Sequence, residues 1–141
     1  MSFLLDTNIV SEWVRPQPDE GVTAWLAEVD EDQSFLSVVT LAELRRGIAR
    51  LARGRRRMRL DEWLRHELLL RFEDRILPID NRVAVIWGDI VSDREAKGRP
   101  ISVMDAFIAA TARTYGLTLV TRNTSDFAGS VAAITNPWVE T

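Results

Sequence analysis

Short apolar runs alternate with longer amphipathic stretches along the chain. Phe3, Leu4 and Leu5 form the first run and predict a buried strand. Ile9, Val10 and Trp13 mark a short helix after it, which Pro16 and Pro18 end. Val22, Trp25, Leu26 and Val29 fall at helical spacing and predict a helix over 20–29, followed by a brief strand over 34–37. Leu41, Leu44, Ile48 and Leu51 mark one face of the next helix, with Gly54 suited to its end. Leu60, Trp63, Leu64 and Leu68 stripe another helix over 58–71, so the arginine run 53–59 is expected at the connection between two helices. Ile76 and Leu77 before Pro78 predict a short strand, and Asp80 is placed to cap the helix carrying Val83, Ile86, Trp87 and Ile90. A helix over 102–115 should end at Gly116, with strands over 118–120 and 131–134. Alternation of this kind predicts an α/β fold, a parallel sheet covered by helices on both faces. No repeat, linker or low-complexity segment divides the chain, and residues 1–141 are expected to form one domain.

Composition narrows the chemistry. The 141 residues are 46% hydrophobic and 28% charged, enough apolar surface for one core and too much for a disordered chain. The absence of cysteine excludes disulfides, thiolate zinc sites and cysteine nucleophiles. A single histidine, His66, lies among charged residues in mid-helix and leaves nothing from which to build a Ser-His-Asp triad or a multi-histidine metal site. No apolar run approaches the roughly 18 residues of a membrane span, and Asp6 and Glu12 interrupt the N-terminal apolar stretch, so a cytoplasmic protein without a signal peptide or membrane contact is expected. The net charge of −3 conceals an asymmetry: residues 45–75 hold eleven arginines and five acids, a local balance of +6 against −9 for the rest. Such an imbalance marks an anionic partner or an acidic protein partner, while the run 53–59 by itself also suits a solvated helix connection.

The acids of interest sit where a parallel sheet binds ligands, beyond the carboxyl ends of its strands. Asp6 follows the first strand, Glu43 and Asp105 are expected in the first turns of two helices, and Asp126 in the loop after 118–120. Each has a structural alternative. Thr40–Glu43 and Ser102–Asp105 match the capping-box pattern, worth about 1 kcal/mol per cap, while Asp6 suits a cap and Asp126 a turn. Capping gives no reason for all four to converge. Two like charges about 5 Å apart repel by roughly 3 kcal/mol at an effective dielectric near 20, so such a cluster needs a cation or bound protons. With oxygen ligands only, the cation would be magnesium or manganese and not zinc or copper. A carboxylate-held divalent ion can activate water against a phosphodiester.

The ordered motifs Leu4-Leu5-Asp6-Thr7-Asn8, Ala42-Glu43-Leu44, Asp105-Ala106-Phe107-Ile108-Ala109-Ala110-Thr111, Thr121-Arg122-Asn123 and Asp126-Phe127 resemble a PIN-domain nuclease. The resemblance is nearest to VapC-type toxins of type II toxin–antitoxin modules, in the FitB-like branch, which the closing Asn136-Pro137-Trp138 also resembles. It implies an α/β/α sandwich with a central parallel sheet and a carboxylate cluster at the strand carboxyl edge. It further implies a magnesium-dependent endoribonuclease in which Asp6 and Asp105 hold the metal, Glu43 and Asp126 complete the acidic set, and Thr7, Asn8 and Thr121 hydrogen-bond within it. Some relatives carry an acid where this chain has Asn123, which leaves open whether Asn123 or Asp126 completes the quartet. The resemblance also implies a homodimer, a cognate antitoxin that blocks the cleft, a toxin–antitoxin hetero-oligomer, and operator DNA reached through the antitoxin. The arginine-rich stretch 45–75 is then available to RNA or to an acidic antitoxin segment.

The alternative function is a catalytically weak PIN-fold partner that acts mainly by dimerising a repressor complex on DNA. Among the remaining features, Gly47, four residues after Glu43, serves either close approach of a ligand or tight helix packing. Trp25, Trp63 and Trp87 are expected in the core, and Trp13 and Trp138 are candidates for an interface.

Overall fold

The computed structural model describes residues 1–138. Five short strands, β1 (Phe3–Leu5), β2 (Ser34–Ser37), β3 (Ile76–Leu77), β4 (Thr118–Val120) and β5 (Ile134–Thr135), form one sheet in the order β3-β2-β1-β4-β5, every neighbouring pair parallel. The chain builds outward from β1 to β2 and β3, then returns to place β4 on the other side of β1. That reversal opens a crevice at the carboxyl ends of β1 and β4.

The strands are apolar at consecutive positions because both faces of the sheet are covered. Leu4 and Leu119 point into one core, Leu5, Leu36 and Val120 into the other. The first core is closed by α6 (Asn81–Ala96) and α7 (Val103–Tyr115), whose Val83, Ile90, Ile108 and alanines 109, 110 and 112 are buried. Trp87 stacks on Phe107 there, ring centroids 5.2 Å apart. The second core is closed by α1 (Thr7–Glu12), α2 (Glu20–Glu28), α3 (Val38–Ala49) and a long helical stretch. That stretch comprises α4 (Arg55–Glu62), a π-helical segment (Trp63–Leu68) and α5 (Leu69–Arg71). Its looser winding suits buried residues spaced four apart, Leu64, Leu68 and Phe72, which stay on the sheet-facing side. The α/β/α sandwich is the expected architecture.

Several boundaries differ from the sequence reading. Ser37 ends β2 and accepts the Val39 amide at 3.0 Å, so α3 starts a turn early. Glu43 therefore lies in the second turn rather than the first, and Thr40 is a buried helix residue rather than a cap. Gly54 caps the start of α4 and does not end α3, which closes at Arg50. Most of the arginine run is consequently helical, in the first turns of α4. Asp126 lies in the one-turn helix α8 (Thr124–Phe127) instead of a loop. The last strand is shifted to Ile134–Thr135, because the Leu119–Ile134 and Val120–Thr135 register fixes it there. Gly116 ends α7 in the left-handed region (φ +64°), as expected of a terminal glycine.

Candidate active site

Register, more than local sequence, builds the centre of the site. Leu5 pairs with Val120, and the Asp6 amide extends that ladder by donating to the Val120 carbonyl at 3.0 Å. One step further along two parallel strands in register, Asp6 and Thr121 present their side chains to the same side. The Thr121 hydroxyl donates to Asp6 Oδ2 at 2.8 Å, and the Thr7 amide donates to Asp6 Oδ1 at 2.8 Å, which makes Asp6 the N-cap of α1 as well. Thr121 Oγ1 in turn accepts from Asn8 Nδ2 at 3.4 Å and from the Asn123 amide at 3.0 Å. The Thr7 hydroxyl donates to Glu43 Oε1 at 2.7 Å, with Thr40 Oγ1 3.4 Å away, and so joins α3 to the network.

Asp6 is only 5% exposed. Burial pushes its carboxyl up to about 6, against the Thr121 and Thr7 hydrogen bonds that favour the ion, and the charges of Asp105 and Glu43 push the same way. Asp105 arrives from α7, whose N-cap Ser102 accepts its amide at 3.2 Å. Partial burial raises the Asp105 carboxyl too; a Ser102 hydrogen bond opposes this, Asp126 adds to it, and Arg94 relieves it. The four acids are thus linked pairwise along the edge, Glu43 to Asp6, Asp6 to Asp105 and Asp105 to Asp126. Asp6 and Glu43 share Thr7 as a hydrogen-bonded neighbour. Among the described residues no three acidic side chains close on one point as a metal shell does, so the edge brings the acids together in pairs and not as the expected four-acid cluster.

The donor set nevertheless suits a hard cation. It is all oxygen, its most buried carboxyl is held by groups that favour ionisation, and Asn8 Oδ1 is buried without a hydrogen-bond partner. Asn123 is exposed and reaches the network through its backbone amide; Asp126 is the acid whose charge bears on Asp105. The capping reading also holds for Asp6 and for the helix of Asp105, so capping does not exclude a place at this edge. It fails for Glu43.

Beside Thr7 and Glu43 lies a groove of about 410 Å³, floored by Leu44, Ile48, Leu60 and Trp63 and lined by Gly47 and Arg56. A Cβ on Gly47 would meet nothing within 4 Å. Tight helix packing therefore does not account for the glycine. Trp13 and Trp138 are half-buried against the second core, Trp13 beside Phe72, the same degree of burial as Trp25, Trp63 and Trp87. His66 is exposed near Glu62, remote in role from the acids.

Two participants are invisible to pattern reading. Thr40 matched a cap and is a buried hydroxyl of the network. Arg94 donates to the Arg99 carbonyl at 2.7 Å, to the Asp126 carbonyl at 3.0 Å and to Ser130 Oγ at 3.0 Å, clipping together the ends of α6, the approach to α7 and the α8 turn. Two of those partners lie 32 and 36 residues away, and nothing in a solvated stretch of α6 announces them.

A parallel sheet between helix layers, with oxygen-only chemistry at its switch point, is the architecture of PIN domains. Residues 3–129 match the PIN domain family, and the chain belongs to it. Toxin FitB of Neisseria gonorrhoeae is 44% identical over 136 residues, covering 96% of this chain and 98% of that protein. VapC ribonuclease Y4jK of Sinorhizobium fredii is 36% identical over 136 residues, covering 96% and 97%. The structure of FitAB bound to an IR36 DNA fragment superposes with a TM-score of 0.91 at 41% identity, covering 99% of this chain and 97% of that one.

Proposed function

We propose that this protein is the toxin of a type II toxin–antitoxin pair, a Mg2+-dependent endoribonuclease for which Mn2+ can substitute. The observation that carries the reading is the buried Asp6 carboxylate at the β1–β4 switch point, tied to Thr121 and Thr7 and electrostatically coupled to Glu43 and Asp105. Full-length likeness to Toxin FitB and to VapC ribonuclease Y4jK supports the toxin and ribonuclease parts. Among the described residues no helix is long and apolar enough to cross a membrane, in keeping with action in the cytoplasm.

Asp6 and Asp105 are the residues that would hold the ion, with Glu43 and Asp126 supporting. Bound there, a divalent cation supplies Lewis acidity, lowering the pKa of water and offsetting charge on a phosphoryl oxygen. The chain's own contribution is preorganisation. Thr121 and the Thr7 amide fix both oxygens of Asp6, and the Thr7 hydroxyl orients Glu43. Arg94 holds the Asp126 turn against the approach to α7. The partners of such a toxin are a cognate antitoxin, a second copy in a homodimer, a toxin–antitoxin hetero-oligomer, and operator DNA reached through the antitoxin; FitAB, the structural relative, is itself bound to DNA.

Cleavage of RNA should require Mg2+ or Mn2+, stop on addition of chelator, and leave 5′-phosphate and 3′-hydroxyl ends. Asp6→Ala and Asp105→Ala should abolish it in folded protein. Persistent cleavage by either variant would refute the site. Growth arrest by Asp6→Ala equal to that of the parent, at equal soluble expression, would instead favour a binding partner that works without hydrolysis.

A further inference from the structure

The second half of α3, the connection after it and the start of α4 carry cationic groups that the fold does not use. Arg46, Arg50, Arg53, Arg55, Arg56 and Arg59 are exposed, and none of their side chains has an ion pair or hydrogen bond among the described residues. Asp61, a nearby acid, is already engaged by Arg45 at 3.3 Å and Arg65 at 3.0 Å. Arg46 and Arg50, like Arg55 and Arg59, are spaced so that like charges adjoin on one helix face, which weakens a helix. No acid stands in the first turn of α4 to offset them. Folding therefore gives no reason for this concentration of positive charge, whereas an anionic ligand does.

The patch reaches the carboxylate edge through Arg56. Arg56 lines the same groove as Thr7 and Glu43. A polynucleotide with one phosphodiester at the acids must lay its flanking phosphates on whatever adjoins them, and on this side that is the arginine patch. The rest of the molecule is net negative and repels a polyanion, so the patch orients the strand as well as attracting it. We propose that these six arginines form the track on which single-stranded RNA is held, its backbone passing Arg56 and the open groove at Gly47 on the way to Glu43. This rests on the ribonuclease reading and names the surface that recognises the substrate.

The test uses the full chain with chelator present, so that binding is read without cleavage. A labelled single-stranded RNA is titrated at several salt concentrations against the parent and against a variant carrying Arg53→Ser, Arg55→Ser, Arg56→Ser and Arg59→Ser. These side chains have no partners to lose, and circular dichroism checks the fold. Each phosphate that the protein ceases to neutralise lowers the slope of log affinity on log salt by about 0.7, so the variant should bind about ten-fold or more weakly at low salt with a slope flatter by up to about 3. Unchanged affinity and slope overturn the proposal, as does a parent that does not bind RNA. Loss of binding to a polyglutamate peptide with RNA binding intact also overturns it, and assigns the track to an acidic protein segment. None of these outcomes touches the Asp6→Ala cleavage assay, which decides the hydrolytic reading separately.

Discussion

Asp6 concentrates the conflict between stability and function at the scale of one residue. It closes a strand, caps a helix and is buried beside two other acids. Its folded carboxyl keeps its proton to about pH 6 rather than 3.8, so ionising it destabilises the fold. The penalty is absent below about pH 3.8, grows as pH rises to about 6 and remains in full above that. A shift of this size corresponds to about 3 kcal/mol as an upper figure. Asp6→Asn removes the charge and sacrifices one accepted hydrogen bond, worth about 1 kcal/mol. The variant should therefore be more stable than its parent by about 2 kcal/mol at neutral pH, with the advantage shrinking as pH falls through 6. Thermal unfolding across that range checks both the sign and the window. An advantage that did not shrink on acidification would remove the ionisation argument.

At the scale of elements, the site depends on how helices begin and how their ends are fastened. Ser102 caps α7, so Ser102→Ala should cost about 1 kcal/mol and loosen the turn that carries Asp105. The clip made by Arg94 is a positioning device, and its variants separate charge from geometry. Arg94→Met loses three hydrogen bonds and the cation near Asp105. Arg94→Lys keeps the charge but cannot span three acceptors with one ammonium. Cleavage should fall about ten-fold or more for Met and recover only in part for Lys, with the metal concentration for half-maximal rate rising in both. A Met variant with the parent's metal dependence would reduce the clip to a structural staple.

Across the whole molecule, the edge gathers negative charge from four segments, and a cation is the simplest way to relieve it. If the edge holds Mg2+ as proposed, the ion should raise the Tm of the parent by an amount that grows with its concentration, because a ligand that binds only the folded state stabilises it. Asp6→Asn, already relieved of one charge, should gain little from Mg2+. Equal gains in parent and variant would place the ion elsewhere. The arginine track lies beside the acids for a related reason: a substrate polyanion needs positive charge near a negative edge, and this chain places the two in adjoining segments.

Much of this was legible in the order of residues. Apolar triplets such as Phe3-Leu4-Leu5 specify strands buried on both faces, because a helix of that length could not bury its surface. Ser102, Asp80 and Gly116 mark helix ends through hydrogen bonding and backbone freedom that belong to those residues alone. The spaced motifs were enough to identify the PIN family. Other features needed three dimensions. The choice of Ser37 over Thr40 as cap followed from where β2 stops, which its pairing with β1 and β3 decides. The partnership of Asp6 with Thr121, 115 residues apart, follows from parallel register. The reach of Arg94 to the Asp126 turn follows from how α6 lies over the sheet. Local sequence encodes local hydrogen bonds and the apolar pattern; pairings between distant segments exist only after the sheet has fixed which strand ends stand side by side.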